Sequence, residues 1–108
     1  MKKPNLKIEE FVANPSGISG KFIVACCLLV DGTKRCWLAA DFNSYEDGRR
    51  IEFRDSKGIV ESLYRTRPVL GGGPVVFNEK FIAELEVEKG HIINVLNWEL
   101  ESEEADSQ

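Results

Sequence analysis

The chain has 108 residues, 43% of them hydrophobic and 30% charged, with 14 Lys and Arg against 18 Asp and Glu for a net charge of −4. That is the size and composition of one globular domain, and it excludes a disordered chain, a collagen-like repeat and a disulfide-dense scaffold. No stretch approaches the roughly 18 consecutive apolar residues of a membrane span, and the three cysteines, an odd number, fit a reducing compartment.

At the N-terminus, Lys7, Glu9 and Glu10 interrupt the apolar residues from Leu6 to Phe11. No signal peptide is read there, and the expected compartment is the cytoplasm. Leu6, Ile8, Phe11 and Val12 suggest a short first strand, closed by the turn cluster Asn14-Pro15-Ser16-Gly17. The most apolar run follows, from Lys21 to Val30. Both of its faces are apolar, which predicts a central strand covered on both sides.

Asp31-Gly32 is a strong hairpin signal, because both central positions of a two-residue loop take positive φ. Read as such a loop, it sets Val30 opposite Thr33 and Cys27 opposite Cys36 on a strand from Thr33 to Phe42. Ile23, Ala25, Cys27 and Leu29 then share a face with Cys36, Leu38 and Ala40. Asn43 to Gly48 reads as a polar loop and Arg49 to Arg54 as a third strand, with Ile51 and Phe53 on one face. Ile59, Val60, Leu63 and Tyr64 fit one face of a short helix capped by Asp55 or Ser56, although Gly58 and the β-branched residues also allow a strand.

From Arg67 to Pro74, three glycines and two prolines exclude a regular element. Val75 to Phe77 is extended. Phe81, Ala83, Leu85 and Val87 alternate with polar residues, Glu88-Lys89-Gly90 turns the chain, and a last strand begins at His91. The expected fold is mainly β: a small antiparallel sandwich or partly open barrel of about six to seven strands, with at most one short helix. Residues 1–98 form this single β domain. Residues 99–108 carry five acids and no base and are expected to be a disordered tail.

No motif for metal or covalent chemistry is complete. Cys26 and Cys27 are adjacent, so on a strand they point to opposite faces, and His91 is the only histidine. A zinc site would need Cys27, Cys36, His91 and a carboxylate to converge. Asp41, Asn43, Asp47 and Glu52 imitate a calcium loop, but Tyr45 and Glu46 occupy its fifth and sixth positions. Gly17-Ile18-Ser19-Gly20 is one residue short of a nucleophile elbow. No Lys-Ser or Lys-Thr follows Gly71-Gly72-Gly73, so these glycines are no phosphate cradle. Neither an enzyme nor a cofactor nor a metal is expected.

The main lead is charge. Between Gly48 and Pro68, six bases face three acids. Arg49, Arg50 and Arg54, with Tyr64, Arg65 and Arg67, offer guanidinium groups near aromatic rings, beside a loop carrying Gly71, Gly72 and Gly73. The expected function is a non-catalytic protein-binding module (an adaptor, inhibitor or immunity-like protein) using this basic surface and loop. The alternatives are a barrel binding a small anionic ligand or nucleotide, and weak binding of single-stranded nucleic acid. The body is far less basic than a nucleic-acid binder. An edge strand would also permit a homodimer.

Overall fold

The apolar run from Lys21 to Val30 becomes the middle of a sheet. The computed structural model describes residues 2–101. In chain order it comprises α1 (Ile8–Ala13), a 3-10 turn (Pro15–Gly17), β1 (Gly20–Asp31), β2 (Cys36–Ala39), α2 (Phe42–Glu46), β3 (Ile51–Phe53), α3 (Ile59–Thr66), β4 (Val75–Glu88) and β5 (His91–Leu100). The strands form one antiparallel five-stranded sheet in the order β3-β2-β1-β4-β5. The chain is thus mainly β, with fewer strands and more helices than the sequence suggested.

Each discrepancy has a local cause. Ile8, Phe11 and Val12 stand at i, i+3 and i+4, and in α1 this spacing buries Ile8 and Phe11 on one face. The segment around Asn43 is helical because the Asp41 carboxylate accepts the Ser44 N–H at 2.7 Å, an N-cap. β4 is one strand of 14 residues. Its odd positions from Phe77 to Val87 face the main core, and Glu79, the polar member of that row, pairs with Arg67. Residues 57–66, open between helix and strand in the sequence, contain the helix α3, and of the two candidate caps it is the Asp55 carboxylate that accepts the N–H groups of Ile59 and Val60, at 3.0 and 2.9 Å. Glu99 and Leu100, read as the start of the tail, belong to β5, and residues 102–108 of that segment lie outside the described residues.

β1 pairs with β4 along its whole length, from Gly20↔Val87 to Asp31↔Val75. Val24, Leu28 and Val30 join Phe77, Phe81, Leu85 and the α1 and α3 side chains Phe11, Ile59 and Leu63 in the main core. The opposite face of β1 carries Leu29, which packs with Ala39, Tyr45 and Val75 under α2. Each fully buried Val, Leu, Ile or Phe among these contributes about 1.5–3 kcal/mol of transfer free energy. At the sheet's far edge, β5 slips register twice against β4, and the extra residues Ile93 and Leu96 are 55% and 37% exposed. The two outer strands, β3 and β5, approach each other in space. Phe81 bridges that approach, with Phe53 stacked on it at 6.4 Å and Trp98 tilted against it at 6.2 Å.

The β1–β2 connection corrects the two-residue hairpin. Val30 pairs with Cys36 and Cys27 with Ala39, so residues 31–35 form the loop. The offset is odd, and an odd offset exchanges the two faces of a strand. Cys36 and Leu38 therefore lie in the main core, whereas Trp37 and Ala39 lie beside Leu29 on the other side. Asp31 organises the loop. Its carboxylate accepts the N–H groups of Thr33 and Arg35 at 2.9 and 3.0 Å, the Thr33 hydroxyl at 2.6 Å and the Trp37 indole N–H at 3.2 Å.

Burial alone would raise the Asp31 carboxyl, but these hydrogen bonds outweigh it and hold it below its ordinary value of 3.8. A carboxyl lowered in the folded state contributes stability that is whole above its unfolded value and is lost as pH falls through the folded one. Asp31→Ala is thus expected to cost about 1–2 kcal/mol at neutral pH. The deficit should shrink below about pH 4, the unfolded carboxylate range. Urea unfolding of both proteins between pH 7 and pH 2.5 measures this; a deficit constant with pH would exclude the carboxylate as its source.

Candidate functional site

The structure distributes the expected binding residues over three places. Arg49 and Arg50 follow α2. Arg49 is exposed and pairs with Asp47 at 3.0 Å. Arg50 is held inward: its guanidinium lies 4.4 Å from the ring centres of both Trp37 and Tyr45, and Nη1 donates to the Tyr45 carbonyl at 3.2 Å. Two such cation–π contacts contribute about 0.5–2 kcal/mol each, so Arg50 fastens β3 to α2 and is not a free cation. Trp37 and Tyr45 are themselves edge-to-face at 6.2 Å.

Arg54 leaves β3 on the other side. Its side chain has no hydrogen bond or ion pair among the described residues. With Lys34, Arg35, Glu52 and Asp55 it lines a cleft of about 390 Å³. Both acids there are engaged, Glu52 with Arg35 at 3.8 Å and Asp55 with the start of α3.

Tyr64, Arg65, Arg67 and the glycine loop form the third place. Arg65 pairs along α3 with Glu61 at 3.5 Å, and both are solvated. Arg67 is more enclosed, with Nε donating to Glu79 at 3.1 Å and about a fifth of each side chain exposed. It ties the end of α3 to β4. Tyr64 is 43% exposed and stands edge-on to Phe77 at 4.9 Å. Leu70 N–H donates to the Val76 carbonyl at 2.9 Å, closing the base of the loop and leaving Gly71, Gly72 and Gly73 exposed at its tip.

Lys34 joins the second place to the third. It lines the Arg54 cleft, and its ammonium lies 5.5 Å from the Tyr64 ring centre. A single surface therefore runs from Arg54 through Lys34 to Tyr64 and the loop, while Arg49 and Arg50 stand apart from it. Val69 and Leu70, 53% and 47% exposed, stand at the base of the loop. The sequence held a sign of them: two large apolar residues stand between Pro68 and Gly71, where no regular element can bury them. Lys34 has no comparable sign, because its position depends on the five-residue loop.

The thiols do not converge. Cys36 belongs to the main core and Cys27 packs against the cluster on the opposite face. Among the described residues, no group of three or more His, Cys, Asp and Glu could hold a metal ion. Burial, with the neighbouring Cys27 adding to it, pushes the Cys26 thiol well up. Burial, assisted by Asp55, Asp31 and Glu52, pushes Cys36 up to about 12. Burial is also the main reason that Cys27 is raised, with Asp41 and Glu101 adding to it and Lys80 opposing it.

Thiolate is the reactive form. Alkylation at pH 8 is therefore expected to be slow at all three cysteines in the folded protein and fast in denaturant. Site-resolved mass spectrometry of the labelled protein checks this, and rapid native labelling of Cys36 would contradict its assignment to the core.

No helix among the described residues is long and apolar enough to cross a membrane. No family model, curated protein or solved structure matches this chain.

Proposed function

We propose that this chain is a non-catalytic protein-binding module acting in the cytoplasm, an adaptor or inhibitor, with the Tyr64-to-Leu70 surface as its contact. One observation carries the reading. Three of the five large apolar side chains exposed among the described residues, Tyr64, Val69 and Leu70, fall within one short segment. Exposed apolar groups that cluster, rather than scatter singly, are the mark of an interaction surface. Tyr64 is also a side chain suited to an interface centre, with a large rigid ring and a polar tip.

Lys34, Arg54 and Arg65 border these groups and complement an acidic partner, which they would steer and orient. Gly71, Gly72 and Gly73 give the loop tip the freedom to conform to that partner. The partner chemistry that fits is a protein surface presenting apolar side chains flanked by carboxylates.

The test is affinity purification of the tagged chain from its own cells, with quantification of co-purifying proteins. Wild type is compared with a Val69→Ser, Leu70→Ser double variant. Both positions are exposed, so the variant should keep its thermal midpoint. A partner recovered at equal abundance with wild type and depleted at least tenfold with the variant supports the reading. Equal recovery with a folded variant removes this surface from it.

A further inference from the structure

A second cleft, of about 450 Å³, opens between the β4–β5 turn, the 3-10 turn and β3, with Ser16, Arg50, Glu52, Lys89 and His91 in its lining. Its walls are fixed. Lys89 N–H donates to Ser19 Oγ and Gly90 N–H to the Ile18 carbonyl, each at 2.9 Å. Gly90 lies so close to Pro15 that a side chain there would overlap its backbone. Arg50 is immobilised by Trp37 and Tyr45, as described above.

The charge of the lining is specific. Arg50 and Lys89 are cationic, and His91 adds an imidazole whose ring N–H can donate. Glu52 is the one acid, and its carboxylate is 3.8 Å from Arg35 Nε, outside the cleft lining. The side chains of Lys89 and His91 have no hydrogen bond or ion pair among the described residues. Lys89 also occupies a backbone conformation with φ of 48°. Asparagine or glycine is the low-cost residue at that hairpin position, so the turn does not account for a lysine there.

We propose that this cleft binds the phosphate or diphosphate group of a small molecule. Lys89 and His91 are its direct partners, the Ser16 hydroxyl is a further donor, and the stacked Arg50 supplies a fixed positive wall. A cleft of this size accommodates a small phosphorylated molecule. The inference is independent of the protein-binding surface: the groups proposed to hold the anion, Ser16, Arg50, Lys89 and His91, lie outside it, and only Glu52 lines both this cleft and the one at Arg54.

His91 is the only histidine, so its imidazole protons give one set of resonances and a direct reporter. Full-length protein is titrated at fixed pH with inorganic phosphate and, separately, with pyrophosphate, and ionic strength is held constant with sodium chloride. The expected result is a saturable movement of the His91 resonances with at least one of the two anions. Saturation by phosphate assigns a monophosphate group, and saturation by pyrophosphate alone assigns a diphosphate.

Lys89→Gly suits the turn's backbone and removes the cation. It is expected to weaken binding at least fivefold with an unchanged fold. A second variant, His91→Gln, is followed through the backbone amides of Glu52 and Lys89, and the same weakening is expected. Movement no larger than that caused by chloride, or equal affinity in Lys89→Gly, overturns the proposal.

Discussion

Phe81→Ala is expected to lower the folding free energy by about 3–5 kcal/mol, the range for truncating a buried aromatic ring. Phe81 is 1% exposed in the middle of β4, opposite Cys26 on one side and Leu100 on the other. Its ring is also the link between the outer strands, through Phe53 of β3 and Trp98 of β5. Alanine there opens a void where three elements meet, and the sheet's hydrogen bonds restrain the walls from collapsing into it. Domains of this size are stable by about 5–15 kcal/mol in total, so the variant should be marginal at 37 °C. Urea unfolding measures the loss. Phe81→Leu, which keeps much of the volume, should lose distinctly less. A loss under about 1 kcal/mol for the alanine variant would mean that the ring stack does not hold β3 against β5.

Gly90→Ala is the second large effect, with an expected cost of about 3 kcal/mol from two sources. Gly90 has φ of +84°, where a side chain costs about 1–2 kcal/mol. In addition, its new Cβ would lie 2.5 Å from both the carbonyl carbon and the oxygen of Pro15. Those are backbone atoms and cannot rotate away, so the turn must shift, at about 1–3 kcal/mol. Gly48 supplies the control. Its φ is +82°, with nothing within 4 Å of its added Cβ. Gly48→Ala therefore carries the conformational cost alone, and the difference between the two variants isolates the clash. Equal midpoints in thermal unfolding would show that the turn yields freely and that the 3-10 segment does not brace it.

Much of this architecture follows from residue patterning. The long apolar run of β1 marks a strand covered on both faces, and it is the central strand. Apolar spacing and an Asp55 or Ser56 cap favour the helix at Ile59, although its β-branched residues and Gly58 also allow a strand. Other elements were harder to read because competing local rules were both satisfied. Ile8, Phe11 and Val12 fit a helical face, yet Leu6, Ile8 and the β-branched Val12 also fit a strand. Asp31-Gly32 satisfies the rule for a two-residue loop, but the Asp31 carboxylate gathers amides as far as Arg35 and sets a longer one.

That single misreading reverses the faces of β2 and brings Cys27 and Cys36 together on paper, although the sheet separates them. The candidate surface was half legible. Arg67 and the glycines were evident as an irregular segment, and Tyr64 and Arg65 as the end of the short helix before it. The positions of Lys34 and Arg54 depend on how β1, β2 and β3 pair, a tertiary matter. Arg50 resembled a free cation because nothing local announces that Trp37 and Tyr45 will enclose it.

The pairing of β1 with β4 also constrains the order in which the chain can acquire structure. The two strands form the middle of the sheet, yet Gly20 meets Val87 across most of the sequence. Closing so long a loop precedes the gain from its contacts, which places this topology among the slower small domains. During synthesis, β1, β2 and β3 leave the ribosome first, with the apolar edge of β1 waiting for a neighbour that is still being made. The N-terminal half is therefore the span in which an unfinished chain is open to wrong pairing, and completion of β4 is the event that ends the exposure.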